Sequence, residues 1–183
     1  VDTSEAKYTV SFDLNGGNGK IDDQIVKENH PLIVVDAPTR EGYIFEGWTP
    51  EVGIMDDVNG KEFSAVWSAA TDTKYTVETY IMSSDGTYEK TVQLLTGTTD
   101  TAVEAEYDID NGFELNTEKS VLSGNVNADG SLILKVYIDR IKYSAVINGE
   151  TVEFLYGSEI AEPEKPDTPK GHSQLGWIDE NGN

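Results

Sequence analysis

The side chains able to do chemistry in this sequence are few and scattered. Carboxylates pair at Asp22-Asp23, Asp56-Asp57 and Asp108-Ile109-Asp110, and Asn125-Val126-Asn127-Ala128-Asp129-Gly130 matches the first half of a calcium loop. Such a loop needs a bidentate Glu at its twelfth position, where this chain has Val136, and its first ligand here is Asn. An Asp-Gly hairpin turn is the better reading of that stretch. The other acidic pairs read as solvated loop charge, with weak calcium binding as the alternative. His30 and His172 stand far apart, so neither a metal cluster nor a catalytic triad is expected. The glycines at 16, 17 and 19 are not followed by Lys-Ser/Thr or a helical pattern, so they do not form a phosphate loop. With no cysteine, disulfides, Cys-ligated zinc and a thiol nucleophile are all excluded. A glycosidase would need two carboxyls across a deep cleft, one with a raised pKa. Lysines and asparagines are available for an internal isopeptide bond, but no spacing identifies a pair. The sequence therefore predicts no catalytic residues, no cofactor and no metal, and leaves ligand-binding residues unassigned.

Three tryptophans could stack on a sugar ring. Trp48 and Trp67 each lie in an alternating run beside other aromatics, which favours a place in a small core. Trp177 is expected to be partly exposed.

The elements that would position these residues repeat along the chain. Lys-Tyr recurs at Lys7-Tyr8, Lys74-Tyr75 and Lys142-Tyr143, with spacings of about 67 and 68 residues (74 − 7 and 142 − 74). Each pair opens a strand-like run; in the first, Tyr8, Val10, Phe12 and Leu14 alternate with Thr9, Ser11 and Asp13. Alternation returns at the far ends, in Phe63, Ala65 and Trp67 and in Leu132, Leu134, Val136 and Ile138. Gly42-Tyr43-Ile44-Phe45-Glu46-Gly47-Trp48 is echoed by Gly171-His172-Ser173-Gln174-Leu175-Gly176-Trp177, and only a Gly112-Phe113 fragment stands between them. This predicts modules at 1–70, 71–140 and 141–183, the last a partial copy without its closing strand. The junctions are short, which favours a stiff, end-to-end array in which neighbouring repeats support one another.

Reversals are expected at Asn15-Gly16-Gly17-Asn18-Gly19, Asn59-Gly60, Asp85-Gly86, Asp129-Gly130 and Asn148-Gly149. Short helices are expected around Ile33–Ala37, Thr101–Tyr107 and Ser158–Glu162. The fold class predicted is mainly β or α+β.

Composition restricts the partners. The net charge of −21 repels nucleic acid and anionic lipid, and no apolar run is long enough to cross a membrane as a helix. The same charge favours an extended arrangement of units. The polar start, Val1-Asp2-Thr3-Ser4-Glu5, has no signal-peptide character.

Tyr8-Thr9-Val10-Ser11-Phe12-Asp13-Leu14-Asn15-Gly16-Gly17, followed by Ala37-Pro38-Thr39-Arg40-Glu41-Gly42-Tyr43-Ile44-Phe45-Glu46-Gly47-Trp48, resembles the Listeria–Bacteroides repeat, of the internalin B-repeat type. The middle copy, with Gly112-Phe113, Ser120-Val121-Leu122-Ser123-Gly124 and Asp129 to Tyr137, is similar to mucin-binding-protein repeats. The resemblance implies tandem β-grasp-like modules and an extracellular place on a bacterial surface or cell wall. It implies a non-catalytic stalk or spacer in an adhesin. The alternative is a binding module, taking a host glycan such as mucin, or a surface protein through an exposed sheet edge.

Overall fold

The computed structural model describes residues 6–28, 30–32, 35–52, 61–147, 149–160 and 167–173. The Lys-Tyr runs are strands, and so are the alternating runs that precede the next copy. The first sheet is built from β1 (Lys7–Asp13), β2 (Gln24–Lys27), β3 (Tyr43–Thr49) and β4 (Lys61–Ala69). Its order is β2-β1-β4-β3; β1 and β4 run parallel and the two outer pairings are antiparallel.

The second region contributes β5 (Thr73–Met82), β6 (Tyr88–Gly97), β7 (Ala102–Glu104), β8 (Phe113–Leu115), β9 (Ser123–Asn125) and β10 (Ile133–Arg140). Four of these form a sheet of order β6-β5-β10-β8, again with a central parallel pair and two antiparallel flanks. β5, β6, β8 and β10 thus occupy the same places as β1, β2, β3 and β4. A final hairpin, β11 (Lys142–Ile147) with β12 (Glu150–Leu155), repeats the opening antiparallel pair.

The period of two decides which residues are buried. In the first sheet Val10 and Phe63 lie in the core with Val26 and Leu32, and Tyr8, Phe12, Trp48 and Val52 pack against them. A bulge between Phe45 and Gly47 lets Phe45 pair with Trp67 and Trp48 with Ala65. Two aromatics three positions apart on β3 therefore reach the same face, which strict alternation forbids. In the second sheet Tyr75 and Val77 on β5 meet Leu134, Val136 and Ile138 on β10. The cover on this core is a ribbon of β7 and β9, with Ala105 and Val126 beneath it.

That ribbon corrects one expectation. Thr101–Tyr107 forms no helix: Ala102–Glu104 is a strand paired with Ser123–Asn125. Val103 and Ala105 alternate toward the core, and a segment this short cannot hold a helix by itself. Residues 35–37 and 158–160 are likewise not helical, while 33, 34, 161 and 162 lie outside the described residues. The described residues are all strands, turns and irregular chain, so the mainly β reading holds and the α+β one does not.

Where the chain is described, reversals form at Asn15-Gly16, Asp85-Gly86 and Asp129-Gly130 and between Ile147 and Glu150. Ser83 and Thr87 close the Asp85-Gly86 turn between β5 and β6. β11 and β12 pair up to Ile147 opposite Glu150, a two-residue hairpin in which Asn148 lies outside the described residues, as does Asn59-Gly60. Asn127 to Gly130 is a hydrogen-bonded turn, but not a hairpin. The strand before it pairs with β7, while β10 enters between β5 and β8.

Candidate functional site

On the second sheet the residues out of phase with the core form an open face. Cross-strand register places Thr76, Glu78, Tyr80 and Met82 of β5 opposite Leu94, Val92, Lys90 and Tyr88 of β6. Tyr137 of β10 lies level with Tyr80 on the other side.

Tyr80 and Tyr137 stack with centroids 4.3 Å apart and planes 2° from parallel, and Tyr88 meets Tyr137 edge-on at 5.3 Å. Cations border the rings. Lys119 Nζ lies 4.7 Å from the Tyr88 centroid and donates to the Tyr88 hydroxyl at 2.9 Å. Lys90 Nζ sits 3.0 Å from Glu78 Oε1 and 5.9 Å from the Tyr80 centroid.

The hydroxyls are fixed by carboxylates. Tyr80 donates to Glu78 Oε2 at 2.7 Å, and Tyr88 donates to Asp139, whose second oxygen accepts from Asn116 Nδ2 at 2.7 Å. The bond to Glu78 pushes the Tyr80 phenol up to about 12. The same bond, with the Lys90 ammonium behind it, holds the Glu78 carboxyl below its usual range. Burial and the bond to Asp139 raise Tyr88, and donation to Tyr88 raises Lys119. Both carboxylates are thus committed to neighbours. What the face offers is aromatic edges and ammonium groups held in fixed positions, suited to stacking and hydrogen bonding. Val92 and Leu94, 59% and 62% exposed, extend it along β6 as an apolar margin.

The residues singled out from sequence fall elsewhere. Trp48 and Trp67 lie in the first sheet's aromatic cluster, at 5.4 Å each from Phe45, with Trp48 also 5.1 Å from Phe12. Trp67 Nε1 donates to the Leu14 carbonyl at 3.1 Å, and the ring passes beneath the Gly16-Gly17 turn. Asp22 pairs with Lys20, and Asp129 accepts from the Ser131 amide at 3.0 Å. That contact and the bond from the Ser131 side chain lower the Asp129 carboxyl. Among the described residues no three His, Asp or Glu side chains converge. Asp108, Asp110, His30 and His172 are exposed, and Asp56-Asp57 and Trp177 lie outside the described residues. The tyrosine face was not anticipated. The signal was present as parity: Tyr80 and Tyr137 are out of step with Tyr75, Val77, Leu134 and Val136.

The fold and this face define a repeat-bearing, mainly β protein. Residues 8–88 match the family model of the Listeria-Bacteroides repeat domain, from the second residue of β1 to the first residue of β6. The sequence resemblance is therefore shown for this part of the chain. A putative membrane protein of Evansella cellulosilytica is 28% identical over 93% of the chain, and the chain spans 27% of that relative's length. Among solved structures, the type 2 repeat of the mucus binding protein MUB from Lactobacillus reuteri aligns with 74% of this chain and 99% of its own. The identity is 11% and the TM-score 0.22. Among the described residues no helix is long and apolar enough to cross a membrane.

Proposed function

We propose that this segment is a non-catalytic spacer of a bacterial cell-surface protein, made of tandem β-grasp-like modules at about 1–70, 71–140 and 141–183. One observation carries the reading. Two sheets in succession share one strand order and one pattern of parallel and antiparallel pairing, and a third region opens the same way. A chain that repeats its topology, and whose described residues bring no three His, Asp or Glu side chains together, is built to extend rather than to react. The match to a Listeria-Bacteroides repeat model supports it.

Small-angle scattering tests the spacer. A compact chain of 183 residues would have a radius of gyration of about 16 Å. A spacer gives a clearly larger value and a distance distribution with a long tail; a value near the compact figure overturns it.

The tyrosine face supports a second reading, in which the middle module binds a glycan by stacking and by its lysines. Titration with mucin-type oligosaccharides should then show millimolar or tighter binding. Tyr88→Ala should abolish it, and no response at those concentrations removes this reading.

A further inference from the structure

The two connections between β-regions are built alike. Ala70, the residue after β4, donates its amide to the Gly42 carbonyl at 2.9 Å and accepts from the Thr99 amide at 2.9 Å. Ile141, the residue after β10, donates to the Gly112 carbonyl at 2.9 Å and accepts from the Tyr156 amide at 2.9 Å. Gly42 and Gly112 hold the same place, in the turn that enters the third strand of each sheet. Tyr43 donates to the Arg40 carbonyl at 3.1 Å, and Phe113 to the Asp110 carbonyl at 3.2 Å. Thr99 and Tyr156 also correspond, each lying just past the second strand of the following region. The bonds are all main-chain, so the joint recurs although Ala70 and Ile141, or Thr99 and Tyr156, differ in side-chain size and shape.

The following region also sits directly on each glycine. A Cβ on Gly42 would lie 2.6 Å from Ala128 Cα and 2.8 Å from the Ala128 carbonyl oxygen. A Cβ on Gly112 would lie 2.1 Å from the Tyr156 ring. Side chains fasten each joint in its own way. Tyr43 donates to Asp100 across the first. Across the second, Arg140 donates to Tyr156 O at 2.7 Å, and on its own side it is held by donation to Met82 O at 2.9 Å and by the Phe113 ring, 4.8 Å from its guanidinium.

We propose that this glycine turn is a docking site for the next β-region of the same chain, and that the missing side chain is what the incoming region requires. The carbonyl, the connecting residue and the next region's amide act as a three-part clasp that sets the angle between successive sheets. This goes beyond the spacer reading and concerns how adjacent regions hold one another, whatever the segment serves.

The chain supplies its own control. Pro169–His172 is the same turn, closed from the His172 amide to the Pro169 carbonyl at 3.0 Å, with Gly171 at φ +91° beside +74° and +85° at Gly42 and Gly112. Nothing described lies within 4 Å of a Cβ on Gly171. Alanine therefore strains all three turns alike but, among the described residues, meets a neighbour at only two.

The absence of cysteine allows spin labels at Thr9→Cys with Thr91→Cys across the first joint, and at Thr91→Cys with Glu153→Cys across the second. Gly42→Ala should broaden the first distance distribution and leave the second, Gly112→Ala should do the reverse, and Gly171→Ala should change neither. A narrow distribution retained in Gly42→Ala or Gly112→Ala, or a broadened one in Gly171→Ala, overturns the proposal. Hydrogen exchange on the unsubstituted chain gives a test that no misfolded variant can cloud. The Thr99 and Tyr156 amides, which span the joints, should exchange as slowly as those of β4 and β10, and exchange at unprotected rates overturns the clasp. A compact scattering profile would remove the spacer and leave these results standing.

Discussion

The first and second sheets solve one topology with opposite placement of their aromatic residues. In the first, Phe12, Phe45, Trp48, Phe63 and Trp67 form a contiguous cluster on the core side. In the second, Val77, Leu134, Val136 and Ile138 fill the core beside Tyr75, and Tyr80, Tyr88 and Tyr137 stand on the open face. The contrast shows that strand order does not depend on which large side chains fill the core, provided that each strand keeps its alternation. In the second sheet the aliphatic core is packed instead by Val103, Ala105, Leu122 and Val126, from the strands β7 and β9 and the residues beside them.

The comparison breaks or sharpens most strongly at the cores. Phe63→Ala should cost about 3–5 kcal/mol and Leu134→Ala about 2–5 kcal/mol. In a Trp177→Phe background, tryptophan emission reports the first sheet through Trp48 and Trp67. Phe63→Ala should lower the midpoint of that transition in denaturant. Leu134→Ala should instead release the amides of β5 and β10 to exchange. If each variant moved both signals equally, the two cores would be one.

Gly17→Ala comes next. Its Cβ would lie 2.6 Å from Trp67 Cζ2, so the indole must shift within a packed cluster, at about 1–3 kcal/mol. Unchanged stability would mean that Trp67 is loosely held and would weaken the case for an aromatic core.

A smaller effect is expected on the open face. Tyr137→Ala removes the stack with Tyr80 and the edge contact with Tyr88, about 1 kcal/mol beyond lost area. The tryptophan-reported transition should not move.

The smallest effect is one of pH. The folded chain holds the Tyr80 proton more tightly than an unfolded chain, whose tyrosine titrates near 10.0. The contribution to stability is whole below about pH 10 and fades as pH rises toward about 12. Ultraviolet titration should show one phenol ionising near pH 12, and Glu78→Gln should return it toward its ordinary value. If the late phase survives that substitution, the Glu78 bond is not its cause.

Parts of this were legible in the residues. Each Lys-Tyr is followed by an alternating run, and a period of two allows only a strand with one face buried. Asn-Gly and Asp-Gly marked reversals because those residues accept the left-handed backbone. The Thr101–Tyr107 stretch misled because Ala and Glu favour helix, while its actual partner, Ser123–Asn125, lies about 20 residues away in sequence. The tyrosine face was half-legible: parity puts Tyr80 and Tyr137 outside, but only the register of β5 against β10 and β6 brings them together with Tyr88.

By itself the sequence determined what is local: the strand periods, the turn positions, the recurrence near 67 residues and the strongly negative charge. The tertiary structure decided what depends on partners distant in the chain. It set the parallel pairing of each first strand with its last, the bulge that turns Trp48 inward, and the main-chain bonds from Gly42 and Gly112 to their connecting residues. The physical reason is that backbone amides and carbonyls are the same at every position. A pattern of side chains can say that a strand will form, but which main-chain groups it meets is settled only when the sheets close.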